Sequence, residues 1–205
     1  MPFDLAYLDQ RVVDRLGLSS SDTRLTSTVR YRAINDALKQ VCLDHDWPWL
    51  RTSGTITTVA NTATAALPTG HIRTESLVDT TTGEALRRTP SLEIDELITP
   101  GRPSLYYVAD VITFGPTPDG AYTLRHRYFR VEPELVNTTD VPLIPEMFAR
   151  GPIEFAAALL LRQIRERERA AEAEADYRAW LKRARDNANK SREPRRIRVR
   201  PGAWF

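Results

Sequence analysis

Three histidines, His45, His71 and His126, are the residues of this chain best suited to bind a metal ion. His45 lies at the end of a predicted helix, His71 in a predicted turn and His126 in a predicted strand. A zinc site needs three or four ligands, and ligands on one element recur at short, regular spacing. No two of these histidines have such a spacing. The sequence therefore predicts no metal site, and it contains no motif that would hold a cofactor.

An acidic cluster offers a second possible chemistry. Glu93, Asp95 and Glu96 lie together in the segment SLEIDELI. Two carboxyl groups can hydrolyse a glycosidic bond when one of them is desolvated and keeps its proton. The segment offers no obvious burial for either group, so a solvated loop is the favoured interpretation. A cell-wall hydrolase that uses Glu93 and Glu96 stays open as a weaker alternative.

Other catalytic patterns are missing from the sequence. The segments TPTG and GRPS lack the preceding strand, the glycine spacing and the lysine of a phosphate-binding loop. No serine has the setting of a nucleophile elbow. Cys42 stands among apolar residues of a predicted helix, which favours a buried small side chain over a reactive thiol. We therefore expect no catalytic residue, and a protein that is not an enzyme.

The basic residues are concentrated near the C-terminus. The net charge of the 205 residues is only +2, yet the segment 182–200 contains nine Lys or Arg and two acids. This excess of seven leaves the rest of the chain near −5. A mildly acidic body with a basic end indicates that the end has its own partner. No run of residues is apolar enough for a membrane span, and the N-terminus lacks the pattern of a signal peptide, so we expect a cytosol-like compartment and no membrane partner.

The segment 191–205 combines arginines with terminal aromatic residues, and we expect a flexible tail. Three interpretations stay open: a solvated terminus, contact with DNA phosphates, and docking into a protein partner with the aromatic side chains as an anchor. Arginine at alternate positions suits an extended peptide in a groove, because alternate side chains face the same way. The candidate docking residues are Arg192, Arg195, Arg196, Arg198, Arg200, Trp204 and Phe205.

Two helices and a β-rich segment account for the first part of the chain. Apolar residues recur at helical spacing from Phe3 to Leu16, and a broad apolar face predicts a second helix from Leu25 to His45. Trp47 and Trp49 should fill the junction between the helices and the β layer. From Arg51 to Arg130 the pattern changes to period two, which predicts seven short strands.

Two turn signals and one helical turn lie between these strands. Gly83 stands where a turn needs it, and Asp119-Gly120 between two strands predicts a β-hairpin. The segment SLEIDELITPG has room for one helical turn.

The stretch from Pro142 to Lys190 predicts one long helix. At Gly151-Pro152 either this helix kinks or a first short helix ends and the main one starts at Pro152, and the second interpretation is favoured. Its first half is apolar on most sides, so other elements must cover it. Its second half alternates charges of both signs and carries a narrow line of small and aromatic residues. Small residues let another helix approach closely, either from the same chain or from a neighbouring copy in a ring. The predicted ring-contact residues are Ala171, Ala175, Tyr177, Trp180 and Leu181.

Together these elements predict an α+β fold. Residues 1–50 and 142–190 form a helical bundle of two N-terminal helices and one long C-terminal helix. Residues 51–141 form an inserted antiparallel β-rich module, and residues 191–205 form a flexible basic docking tail.

Several motifs follow one another in an ordered set along the chain: AINDALKQV…WPWL, TAALPTGHIRTESLV…GEALRRT, TPGRPSLYYVADVITFGPTPDGAYTLRHRYF, DVPLIPEMFARGPIEFAAALLL, and Tyr177-X-X-Trp180-Leu181. In this order they resemble the head-to-tail adaptor proteins of tailed double-stranded DNA phages. More narrowly, they are similar to the group of tail tubular protein A and the tail accessory factors, over residues 25–185. Relatives of this group also occur in gene transfer agents.

This resemblance implies a structural protein of the virion neck that is made in the host cytoplasm. It implies a dodecameric ring below the portal protein, joined to a tail or stopper protein, which extends the channel for genomic DNA without sequence-specific binding. Portal docking would fall on the tail from Arg192 to Phe205. We expect a monomer or weak associations in isolation and an oligomer on the portal, because the entropy cost of ordering the tail is offset only by a partner. A DNA-binding protein acting through the basic tail stays open as an alternative.

Overall fold

The computed structural model of the chain describes residues 2–17, 24–97 and 99–190. The tail 191–205, with all its predicted docking residues, lies outside the described residues. The predicted mixture of helices and sheets is confirmed, and the elements follow the predicted order along the chain.

The two N-terminal helices form as their apolar periods predict. Helix α1 spans Leu5–Leu16 and helix α2 spans Ser27–Asp44. The Asp4 carboxylate accepts a hydrogen bond from the Tyr7 amide at 2.9 Å and so caps α1. Gly17 ends this helix in the left-handed conformation, with φ of 61°.

The prediction of one long C-terminal helix is wrong, because the chain forms two helices there. Helix α4 spans Arg150–Gln163 and helix α5 spans Arg167–Lys190. Between them, Arg165 takes a φ of 67°, and the Glu166 amide donates to the Leu161 carbonyl at 2.9 Å. This is a Schellman ending with a non-glycine residue in the left-handed position. No glycine or proline marks the break, so the apolar period does not reveal it.

Helix α5 folds back along α4. Arg162 near the end of α4 pairs with Glu174 of α5, while Gly151 at the start of α4 faces Trp180. A Cβ atom at position 151 would lie 2.3 Å from a ring carbon of Trp180. The indole therefore occupies the space that a side chain would need, and the reversal lets α5 cover one side of the apolar helix α4.

The β-rich module contains the predicted strands in two sheets. The strands are β1 Arg51–Thr57, β2 Thr64–Ala66, β3 His71–Asp79, β4 Arg87–Arg88, β5 Leu105–Val108, β6 Val111–Gly115 and β7 Thr123–Arg130. One sheet has the order β1-β7-β3 and the other the order β2-β6-β5-β4. The pairing of β4 with β5 is parallel, so the second sheet is mixed. A short helix, α3 at Ser91–Asp95, forms the predicted helical turn.

The predicted hairpin at Asp119-Gly120 is wrong, since β6 and β7 lie in different sheets. The backbone of this turn pairs with the residue that follows β1. The Thr58 hydroxyl donates to the Gly120 carbonyl at 2.9 Å and accepts from the Tyr122 amide at 2.8 Å. These contacts direct the chain from one sheet into the other, whereas turn composition alone predicts only that a turn occurs.

Each of the two parts has its own hydrophobic core. The four long helices share one core, and the facing sides of the two sheets form the other. Strand β7 contributes to both, with Leu124 in the β core and Phe129 in the helical core. The predicted boundaries near residues 51 and 141 stay a prediction.

Trp47 lies at the junction of the two parts. It is fully buried, stacks on Trp49 with ring centroids 4.7 Å apart, and contacts the rings of Phe148 and Trp180. Its indole N–H donates to the Val41 carbonyl at 2.6 Å. The end of α2, the entry to β1, the 3-10 turn at residues 146–148 and α5 therefore meet at one aromatic cluster.

Replacing Gly151 by alanine should destabilise the protein by about 2 kcal/mol, because the new methyl group forces Trp180 away from its packed position. The matched control is Gly54→Ala, whose Cβ would lie 3.8 Å from the Tyr128 ring, an ordinary contact. Chemical denaturation measures both free energies of unfolding. A Gly151→Ala variant as stable as the Gly54→Ala control would contradict the packing of α5 on α4.

Candidate assembly surfaces

The acidic cluster does not form a catalytic pair. Arg87 and the Thr89 hydroxyl both donate hydrogen bonds to Glu93, and they lower the pKa of its carboxyl group. Asp95 and Glu96 are exposed. A glycosidase acid needs a raised pKa, which these surroundings oppose for Glu93. The hydrolase interpretation therefore receives no support from the geometry.

The fold brings two of the three histidines together, which the sequence did not predict. The Thr74 hydroxyl lies 2.9 Å from the Nε2 atoms of both His71 and His126. His126 is fully buried and stacks on Tyr128 at a centroid distance of 4.7 Å. Burial, with a smaller contribution from His71, lowers the pKa of His126 to about 4. Both positions become neighbours only through the pairing of β3 with β7, which no local spacing encodes.

The histidine pair has too few partners for a metal centre. Among residues 2–17, 24–97 and 99–190, no group of three His, Cys, Asp or Glu could hold a metal ion. A cleft of about 440 Å³ opens beside His71 and Thr74, and Arg73 and Arg88 also line it. We interpret the neutral histidine pair as part of the packing that joins β3 to β7.

Glu132 is a buried carboxyl group at the exit from β7 toward the helices. It is 2 % exposed, and its Oε1 accepts from the Leu143 amide at 2.6 Å. Burial raises its pKa to about 7, although the amides of Leu143 and Ile144 act in the opposite direction. The same site encloses Cys42, whose thiol pKa burial raises to about 12. Cys42 is thus a buried side chain, as its sequence context predicts.

The Glu132→Gln variant tests this burial through pH. The pKa of this carboxyl group is higher in the folded protein than in the unfolded chain. The free energy of unfolding is therefore highest below pH 4.5 and falls as the pH rises through about 7. Glutamine removes this loss and can still accept from the Leu143 amide. Relative to the wild type, the variant should gain roughly 2 kcal/mol between pH 5 and pH 8. Denaturation at both pH values measures the difference, and a constant difference would contradict the raised pKa.

Three of the five predicted ring-contact residues pack within their own chain. Tyr177 is 4 % exposed, lies against Phe155 with ring centroids 4.9 Å apart, and donates its hydroxyl hydrogen to Asp44. Trp180 and Leu181 are partly buried against the helical core. The burial of Tyr177 leaves it no free surface for a neighbouring copy, because α5 folds back on α4 rather than extending as an arm.

The other two predicted residues face outward. Ala171 and Ala175 are both exposed, and Ala179 continues their line four residues further along α5. Residues four apart on a helix lie on the same face. The exposed alanines therefore form one narrow stripe on the outer side of α5, opposite the side that covers α4.

Ion pairs join the helix that carries this stripe to its neighbours. The Arg15 guanidinium of α1 donates to Glu154 of α4 at 2.6 Å and approaches Asp176 of α5 at 3.4 Å. Glu154 is 5 % exposed, and Arg150 also approaches its carboxylate at 3.5 Å, so two guanidinium groups compensate this buried charge. The Arg15 guanidinium thus joins α1, α4 and α5. The outer face of α5 stays exposed and can serve as a contact surface between subunits.

The family model described as SU10 adaptor protein matches residues 4–200. This match covers nearly the whole chain, including both the helical part and the β-rich part. The chain belongs to the SU10 adaptor protein family. No curated protein matches it.

The SU10 adaptor family is a family of phage head-to-tail adaptors, which confirms the resemblance inferred from the ordered motifs. Membership implies a structural role in the neck of the virion and contact with portal and tail proteins. The match extends beyond residues 25–185 at both ends. None of the helices that the structure describes is both long and apolar enough to cross a membrane.

Proposed function

We propose that this member of the SU10 adaptor family forms a dodecameric ring below the portal, extends the channel through which genomic DNA passes, and joins the portal to a tail or stopper protein. The observation that carries this proposal is the family match over residues 4–200. The protein acts by assembly and has no catalytic activity of its own. DNA passes without sequence-specific binding.

The alanine stripe on α5 is the proposed contact between neighbouring copies. Its members, Ala171 and Ala175, project almost no side chain, so the backbone of a second helix can come close. Charges of both signs flank the stripe, with Glu172 and Arg178 exposed beside it. Neighbouring subunits of a ring present different surfaces to each other, so opposite charges can pair across such a contact.

The tail 191–205 is the proposed portal-docking segment. Helix α5 spans Arg167–Lys190, and the tail follows it directly in the sequence. Its arginines supply charge and its two terminal residues, Trp204 and Phe205, supply apolar anchors of the kind that dominate protein interfaces. Docking of each tail brings the subunits to high local concentration on the portal. Weak contacts between the α5 stripe of each copy and a different surface of its neighbour then suffice to close the ring.

Assembly on purified portal protein tests both contacts. Light scattering after size exclusion should show a monomer for the chain alone and a ring on the portal. Deleting residues 191–205 should abolish portal binding. Ala171→Glu combined with Ala175→Glu should lower the number of bound copies by at least about half, because two charges become buried between subunits. The matched control, Ala6→Glu on the exposed side of α1, should assemble like the wild type.

Two results would contradict the proposal. A stable ring at micromolar concentration without portal would show that docking does not drive assembly. The second result is that the chain binds duplex DNA in a salt-dependent way, and that deletion of the tail abolishes this binding but leaves portal binding intact. It would favour the DNA-binding alternative, since salt strongly weakens phosphate contacts.

A further inference from the structure

The two sheets have four edge strands, and three of them are protected against further pairing. Strands β2 and β4 span only Thr64–Ala66 and Arg87–Arg88. Strand β3 has two register irregularities, and residues 84–86 pair with its last residues. Short strands, bulges and covering segments are the devices by which proteins prevent edge-to-edge pairing. Strand β1 has none of them.

The outer edge of β1 presents free backbone groups. The Thr58 amide donates to the Tyr122 carbonyl at 2.9 Å, and hydrogen-bonded positions alternate along an antiparallel pair. The N–H and C=O groups of Ser53, Thr55 and Thr57 therefore point away from β7. No residue in the described part of the chain forms a backbone hydrogen bond with these groups. The edge is seven residues long, contains no proline or lysine, and can accept an additional strand.

The face beside this edge carries unpaired positive charge. Thr55 lies opposite Arg125 and Ser53 lies opposite Arg127, so these side chains share one face of the sheet. Both arginines are exposed, and neither forms an ion pair with any described residue. Ser53 and Thr55 have small side chains, and the arginines opposite them stay exposed.

We infer that β1 is a docking edge for an extended segment of a partner protein with carboxylate side chains at alternate positions. The added strand would pair with the free backbone of β1. Its carboxylates would lie on the exposed face and bind Arg125 and Arg127. The arginine-rich tail of a neighbouring copy does not fit, because its like charges would repel these arginines. This edge is separate from the α5 stripe, and the inference does not depend on ring assembly.

Capped seven-residue peptides provide the test with the full-length wild-type protein. The probe has Glu at alternate positions and Thr or Val between them, and fluorescence anisotropy measures its binding. Two further peptides are methylated on the backbone nitrogens of every second residue, one at the odd and one at the even positions. In a strand paired with β1, only one of these two sets of N–H groups donates hydrogen bonds to β1. The peptide methylated on that set should lose about tenfold in affinity, and the other should bind like the parent peptide. A peptide with Lys in place of Glu should not bind.

The double variant Arg125→Ser with Arg127→Ser should weaken binding of the acidic peptide by about fivefold or more, because two exposed ion pairs are lost. Lys182→Ser with Arg183→Ser removes the same charge from exposed positions on α5 and should leave binding unchanged. Circular dichroism melting checks that both variants fold.

Three outcomes would overturn the inference. Equal binding of the two methylated peptides would show electrostatic attraction without strand pairing. No binding of the acidic peptide at millimolar concentration would exclude such a docking edge. If the wild-type protein binds duplex DNA but no peptide, and the Arg125→Ser, Arg127→Ser variant no longer binds DNA, this face would be assigned to nucleic acid.

Discussion

The packing of aromatic rings around Trp47 is the interaction on which the rest of the structure depends. Trp47 is fully buried, and its ring lies 4.7 Å from Trp49 and 6.0 Å from Trp180, centroid to centroid. One cluster therefore sets where α2 ends, where β1 begins and how closely α5 approaches. Because Trp180 also fills the space above Gly151, the same cluster holds the α4–α5 hairpin closed.

This arrangement determines which surfaces remain for assembly. The inner side of α5 is used for the chain's own core, and only its outer stripe with Ala171 and Ala175 is exposed. The loop that follows β7 is anchored on α2, because the side chain of Asn35 pairs with the backbone of Leu135 at 2.9 and 2.8 Å. The open edge of β1 lies in the β-rich part and is separate from the α5 stripe.

The sequence predicts local structure well where one residue type decides it. The apolar periods predict α1 and α2, Gly17 predicts the end of α1, and the alternation of β-branched residues predicts the strands.

Prediction from the sequence fails where the local structure depends on residues that are distant along the chain. Arg165 takes a left-handed conformation because packing of α5 on α4 stabilises it, and no local residue marks this. The turn at Asp119-Gly120 looks like a hairpin locally, but Thr58 pairs with its backbone and redirects it. His71 and His126 become neighbours only through strand register. Among the predicted ring-contact residues, the exposed alanines of α5 can still contact a neighbouring subunit. Tyr177 is buried, because α5 folds back on α4.

Cryo-electron microscopy of the neck of the virion that contains this chain is the most direct test of the proposed assembly. We expect a ring of density between portal and tail into which the described fold fits with the α4–α5 hairpin closed. The outer stripe of α5 should then face the neighbouring subunit, and residues 191–205 should be ordered against the portal. Density in which α4 and α5 form one continuous helix, or in which the chain lies outside the neck, would contradict it.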